Sequence, residues 1–268
     1  MVAALRARAT ARPERICDDP WAARLAGDEG FALADRFLSA QPAMELWLAL
    51  RTAVIDDRIR SFVGRGVRQV VLLGAGLDSR AARLASAGVR FFEVDAPASQ
   101  SVKLAALEGL PDYPKDAAVH VSCDFEREDF LDRLVARSFD AARPALLAWE
   151  GVTCYLTEPA VRATLRRIAS GCDAGSAVIF DYVGKKLATG RATDAGSLAA
   201  SALVSELSEP ITWGTDDIVP LLHEEGFRRA RTMSFDEAAL NRTGTYDRSR
   251  FFRFQHLALA SVAGEVGF

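Results

Sequence analysis

The stretch VVLLGAGLDSRAARL, residues 70–84, decides the fold: an apolar run enters a glycine loop, and a helix follows, expected over Ser79–Ala87. Val70 to Leu73 contains no polar side chain, the pattern of a strand buried on both faces of a parallel sheet. Gly74 and Gly76 bracket Ala75, and such glycines let a ligand approach the backbone that a Cβ would shield. The loop departs from the G-x-G-x-x-G fingerprint, because Ser79 stands where the third glycine would fall. Asp78 puts a carboxylate at the helix start, where a pyrophosphate would otherwise sit. The loop therefore suits a ligand without two phosphates and disfavours a nicotinamide dinucleotide.

Moving outward, strand and helix patterns keep alternating. Val89–Val94 ends at Asp95 before a helix over Pro97–Leu107. Ala118–Val121 leads to Asp124, then a helix near Phe130–Ala136. Ala145–Trp149 ends at Glu150, with a helix over Pro159–Ala169 and a fifth strand at Ala177–Phe180. This order predicts an α/β fold with a parallel sheet covered by helices on both faces. Beyond it lie a helix at Asp216–Glu225 and late strands at Arg229–Phe235 and Arg253–Ala260. Helical patterns also run through Trp21–Leu25 and Ala43–Leu50, and the first fifteen residues read as an amphipathic helix. No repeat or linker appears. One domain is expected: a helical cap over 1–66, a cofactor-binding core over 67–183, a lid insertion over 184–213, and the end of the sheet over 214–268.

In an open parallel sheet, ligands bind beyond the carboxyl ends of the strands. Those ends are Gly74-Ala75-Gly76, Asp95, Asp124 and Glu150. Asp95 lies 19 residues after Gly76, the spacing at which an acid accepts hydrogen bonds from ribose hydroxyls. A ribose without phosphates points to an adenosine ligand. Asp124 would accept from an adenine amino group, with Phe125 an apolar neighbour for the ring. Glu150 would hold the ammonium of an amino-acid tail or orient a substrate. Arg51 has the planar fork that clamps a carboxylate, although helical arginines are more often solvated. Structural turns, a solvated strand-end acid and a helix N-cap are the plainer readings of the loop, Asp95 and Asp124 respectively.

Composition narrows the classes. The 268 residues carry a formal charge of -3, against nucleic acid as the main partner. Cys17, Cys123, Cys154 and Cys172 show no C-x-x-C spacing, and His120, His223 and His256 lie far apart, so neither a disulfide framework nor a metal site is expected. His120 and His256 sit in apolar strands and read as structural. The Asn241–Thr243 sequon reads as chance, because nothing suggests secretion. No apolar run nears the ~20 residues that cross a bilayer, and a cytoplasmic monomer or homodimer is expected.

RTAVIDDRI at 51–59, VVLLGAGLDSRAARL at 70–84 and FFEVDAPASQSVK at 91–103 resemble the leucine carboxyl methyltransferase family. ICDDPWAARL at 16–25, AWEGVTCYL at 148–156 and EPITWGTDDIVPLLHEEGF at 209–227 extend the likeness over nearly the whole chain. The resemblance implies a Rossmann-like class I methyltransferase fold: a seven-stranded, mostly parallel sheet with an antiparallel last strand, a helical N-terminal extension and a helical lid. It implies S-adenosyl-L-methionine as cofactor and S-adenosyl-L-homocysteine as product. Arg51 would bind the cofactor's carboxylate, Gly74 would lie beneath its methionine moiety, Asp95 would take the ribose, Asp124 and Phe125 the adenine, and Glu150 the region of the amino group. Arg6 resembles part of the family's opening motif and is a lid candidate, although Ala9 stands where an acid is common.

Methyl transfer from a sulfonium is an in-line displacement, so alignment is the protein's main task. A carboxylate acceptor is ionised at neutral pH and needs no base, whereas a phenol with a pKa near ~10 would gain from one. The absence of an obvious catalytic histidine mildly favours a carboxylate. Tyr155, five residues past Glu150, is the candidate catalytic residue, orienting the acceptor oxygen. Trp213 or Phe37 could stack on an aromatic acceptor. High Ala and Arg usage suggests a GC-rich bacterial source and a polyketide-like secondary metabolite as acceptor. A protein C-terminal carboxylate, and a non-catalytic protein that keeps the fold, are the alternatives.

Overall fold

The apolar strand segments require cover on two faces, and the computed structural model shows how the chain provides it. The structure describes residues 1–125, 127–192, 210–244 and 254–265, together with Leu198, Ala202 and Ser205. Strands β1 (Gln69–Leu73), β2 (Arg90–Asp95), β3 (Ala118–Ser122), β4 (Ala145–Trp149), β5 (Ala177–Val183), β6 (Arg229–Ser234) and β7 (Gln255–Ser261) form one sheet in the order β3-β2-β1-β4-β5-β7-β6. The first five pair in parallel, and β7 runs antiparallel between β5 and β6. The order reverses beside β1, so the ends of β1 and β4 open a crevice there.

Side chains alternate between two cores, as the pleat requires. Val70, Leu72, Phe91, Leu146, Ala148 and Ile179 face one side. Val71, Leu73, Phe92, Leu147, Trp149 and Phe180 face the other. The first core is closed by α1 (Val2–Ala11), α2 (Ala22–Ala40) and α3 (Met44–Gly64). Every residue from Trp47 to Asp56 is buried, so α3 presents no wet face over that stretch. Its outer side is covered by α1, which packs against both α2 and α3. The N-terminal segment is thus helical as expected, but largely buried rather than one-faced. On the other side lie α6 (Phe130–Val135), α7 (Glu158–Gly171) and α9 (Val219–Glu224), whereas α5 (Pro97–Glu108) packs against α2 on the first side, near the β2–β3 edge.

Several boundaries differ from the sequence expectation. The helix after the glycine loop is only α4 (Arg80–Arg83), because a turn at Ser86–Val89, with Gly88 at φ +75°, redirects the chain into β2. Phe235 does not end β6; it opens α10 (Phe235–Thr243), capped by reciprocal bonds between Ser234 and Glu237. β5 continues past Phe180 to Val183. In the expected lid insertion, Lys185–Ala188 forms a single turn, α8, and residues 193–197, 199–201, 203–204 and 206–209 lie outside the described residues, as does Arg253 at the expected start of the last strand. No helix among the described residues is long and apolar enough to cross a membrane.

Candidate cofactor and acceptor site

The glycine loop is shaped by its neighbour strand. The backbone N–H groups of Gly74 and Ala75 both donate to the Val94 carbonyl, at 2.8 and 3.2 Å, folding the chain over the end of β2. Gly74 has φ +67°, and a Cβ there would lie 2.4 Å from Cγ2 of Val152. Asp95, at the end of β2, accepts from the N–H of Gly76 at 2.6 Å and from Ala96 at 2.8 Å. Burial raises the Asp95 pKa even against these two bonds, which favour the carboxylate.

Beneath the loop runs a network of buried charges. Arg80, only 1% exposed, donates from Nε to Asp56 at 2.6 Å and from one terminal nitrogen to both Asp78 and Glu150. Arg51 reaches from α3 and donates to Glu150 at 2.8 Å and Asp181 at 2.5 Å. Asp181 also accepts from the Gly151 N–H at 2.6 Å. Arg6 of α1 joins the Leu77 carbonyl at 2.6 Å and Asp19 at 2.9 Å. Burial alone would raise the Asp78 and Glu150 carboxyls, but the Arg80 charge, assisted by Arg6 at both and by Arg51 at Glu150, holds both below the usual carboxylate range.

A cleft of about 680 Å³ opens at the strand ends. Arg51, Gly74, Ala75, Gly76, Asp95, Phe125, Glu150 and Tyr155 all contribute to its wall. Asp124 stands at the end of β3 without lining the cleft; its carboxylate is 41% exposed, 3.6 Å from Arg127. Among the described side chains, the charged wall residues are Arg6, Arg51 and Arg80 against Asp78, Asp95 and Glu150, which balance to zero. Such a wall fits an uncharged nucleoside with a zwitterionic tail. A pyrophosphate would meet the Asp78 carboxylate, which already accepts from the Arg80 N–H at the start of α4, at 2.7 Å.

A second, apolar cavity of about 80 Å³ adjoins the cleft, and the two share Met1, Val2, Arg51, Gly151 and Tyr155 in their walls. Gly151, at φ +70°, leaves room for the arginine: a Cβ there would stand 3.3 Å from an Arg51 nitrogen. Phe37 lines this cavity, whereas Trp213 lies in the core cluster with Trp149 and Tyr182 and lines neither space. His256 stacks on Tyr182, and His120 sits 3.3 Å from Glu93, both away from the two cavities. The cysteines are free, and no cluster suited to a metal ion occurs among the described residues.

Sequence reasoning passed over Asp56, Arg80 and Asp181 as functional residues. Two of them lie inside the stretches 51–59 and 70–84. The signal for the third is an acid interrupting the apolar strand β5.

A seven-stranded Rossmann-like sheet with this order and a balanced cleft at its reversal point defines the class I methyltransferase fold. The leucine carboxyl methyltransferase family profile matches residues 1–169, and the chain belongs to that family. A Streptomyces coelicolor protein provisionally named as an S-adenosyl-L-methionine-dependent methyltransferase is 34% identical over 256 residues, 87% of each chain. A Frankia alni protein with the same provisional name is 35% identical, over 79% of this chain and 78% of its own. Among solved structures, a DUF574 family protein from Streptomyces avermitilis superposes with a TM-score of 0.68 at 15% identity, covering 97% of both chains. Magnesium protoporphyrin IX methyltransferase from Synechocystis, solved with S-adenosylhomocysteine, gives 0.51 at 16% identity, over 88% of this chain and 95% of its own.

Proposed function

We propose that this protein is an S-adenosyl-L-methionine-dependent O-methyltransferase for a small-molecule acceptor, a carboxylate or hydroxyl of a polyketide-like metabolite. The observation that carries the reading is the meeting of a balanced nucleoside-sized cleft with an apolar cavity at Arg51, Gly151 and Tyr155. When bound, the cofactor supplies the electrophilic methyl group, and the chain's residues bind and orient.

Asp95 would accept from the ribose hydroxyls and Phe125 would pack against the adenine, whereas Asp124, which does not line the cleft, has no part in this reading. Gly74, with Ala75 and Gly76, would lie under the amino-acid tail. Arg51 would bind the tail's carboxylate and Glu150 its ammonium group. Tyr155 borders both spaces and would orient the acceptor oxygen for in-line approach, with alignment supplying several kcal/mol. The enclosed 80 Å³ space favours a small acceptor over the C-terminus of a folded protein.

Calorimetric titration with S-adenosylmethionine, S-adenosylhomocysteine and NAD tests the cofactor. Micromolar binding of the two sulfur ligands alone is expected, and binding of NAD alone would defeat the reading. Product mass spectrometry over an acceptor panel then tests catalysis. Cofactor binding without any methylated product across the panel would favour a non-catalytic binding protein.

A further inference from the structure

The stretch FFEVDAPASQSVK at 91–103 closes on Lys103, which lines neither the cleft nor the apolar cavity. Lys103, on α5, and Glu93, on β2, are each only 2% exposed, and the lysine Nζ donates to the Glu93 carboxylate at 2.6 Å. The same nitrogen donates to the backbone carbonyl of Asp78 at 2.5 Å. Taking two charges this far out of water costs about as much as their attraction returns, so an apolar pair of similar volume would serve folding equally well. What an apolar pair cannot do is hold a carbonyl.

That carbonyl belongs to the loop at the cleft wall. The Asp78 N–H donates back to the Ala75 carbonyl at 2.8 Å, closing a turn over Ala75–Asp78. Successive residues of the turn are tied to groups outside it. The Gly76 N–H donates to Asp95, the Leu77 carbonyl accepts from Arg6, and the Asp78 carbonyl accepts from Lys103. The first two ties come from side chains that line the cleft, whereas Lys103 holds the turn from behind.

We propose that Lys103 is a positioning residue for cofactor binding: through the Asp78 carbonyl it holds the Ala75–Asp78 turn in the shape that receives the ribose and amino-acid tail, with Glu93 as its buried counter-charge. This rests on the methyltransferase reading. Burial raises the Asp95 carboxyl, the Lys103 ammonium opposes that rise, and Glu93 adds to it. Replacing both residues together therefore separates the loop contact from the charge state of Asp95.

The test compares the wild-type chain, the double variant Lys103→Met/Glu93→Met, and Glu93→Gln. Each is followed by thermal unfolding and titrated calorimetrically with S-adenosylhomocysteine well below its own melting temperature. The double variant should melt within about 5 °C of wild type and bind S-adenosylhomocysteine about tenfold more weakly. Glu93→Gln should do the reverse. It strips the buried lysine of its counter-charge and should melt more than about 5 °C lower. Its lysine still donates to the Asp78 carbonyl in either protonation state, so affinity should stay within about threefold of wild type. A pair that served the fold alone would lose affinity only in step with stability. Wild-type affinity in the double variant, failure of that variant to fold, or an affinity loss in Glu93→Gln as large as in the double variant would overturn the proposal and leave the cofactor assignment standing. Failure of the wild-type chain to bind S-adenosylhomocysteine would instead overturn the methyltransferase reading, and this proposal with it.

Discussion

Gly74 meets two independent constraints, a left-handed backbone at φ +67° and a Val152 methyl 2.4 Å from where a Cβ would stand. Gly74→Ala should therefore cost about 1–2 kcal/mol for the backbone and more for the contact, measured by urea unfolding. Adding Val152→Ala should recover only the second part; full recovery would show that the backbone strain is negligible. Asp95→Ala removes the proposed ribose acceptor and both bonds to the loop. It should weaken S-adenosylhomocysteine about 10- to 100-fold by calorimetry, and wild-type affinity would refute the ribose assignment. Asp95 could be singled out from spacing alone because a parallel sheet fixes where a strand ends. Arg80 could not, because its partners Asp56, Asp78 and Glu150 come from three separate segments.

At the scale of elements, α4 exists for its two arginines more than for its length. Arg80 and Arg83 both reach Asp56 on α3, tying the glycine loop to the helical layer. Arg80→Met would leave Asp56, Asp78 and Glu150 without their central cation, and the expected loss is about 3–5 kcal/mol of unfolding free energy. A loss under about 1 kcal/mol would mean that water or a shifted Arg83 replaces it. The strands were readable because burial on both faces demands apolar runs: β1 and β4 have them nearly unbroken, and β2 and β5 are each broken inside only by one acid, Glu93 and Asp181. Helix ends were less readable. Ser79–Ala87 has helical composition throughout, yet tertiary pairing at Arg80 and the turn at Gly88 end the helix at Arg83. The start of α10 did carry a local signal, the S-x-x-E box at Ser234–Glu237, which the β-like residues before it outweighed.

Across the whole molecule, the site's carboxylates are tuned in opposite directions, and this separates binding from folding on acidification. Asp78 and Glu150 are held below the ordinary carboxylate value near ~4, mainly because Arg80 overrides the effect of burial. Their contribution to stability is present above the unfolded-state pKa and is lost only as pH falls through the lower folded values. Asp95 is raised by burial, so its contribution runs the other way: full below the unfolded pKa and lost as pH rises through the folded one. Ribose hydroxyls donate to the ionised Asp95, and binding therefore needs the form that acid removes first. As pH falls below the raised Asp95 value, S-adenosylhomocysteine affinity should decline by up to ~10-fold per unit, while circular dichroism still reports a folded chain. Asp95→Asn, which cannot ionise, should start weaker and lack this segment of the profile. If wild-type affinity and folded signal instead vanish at one common midpoint, the charge network under the loop fails as early as Asp95 does, and the opposed tuning is wrong.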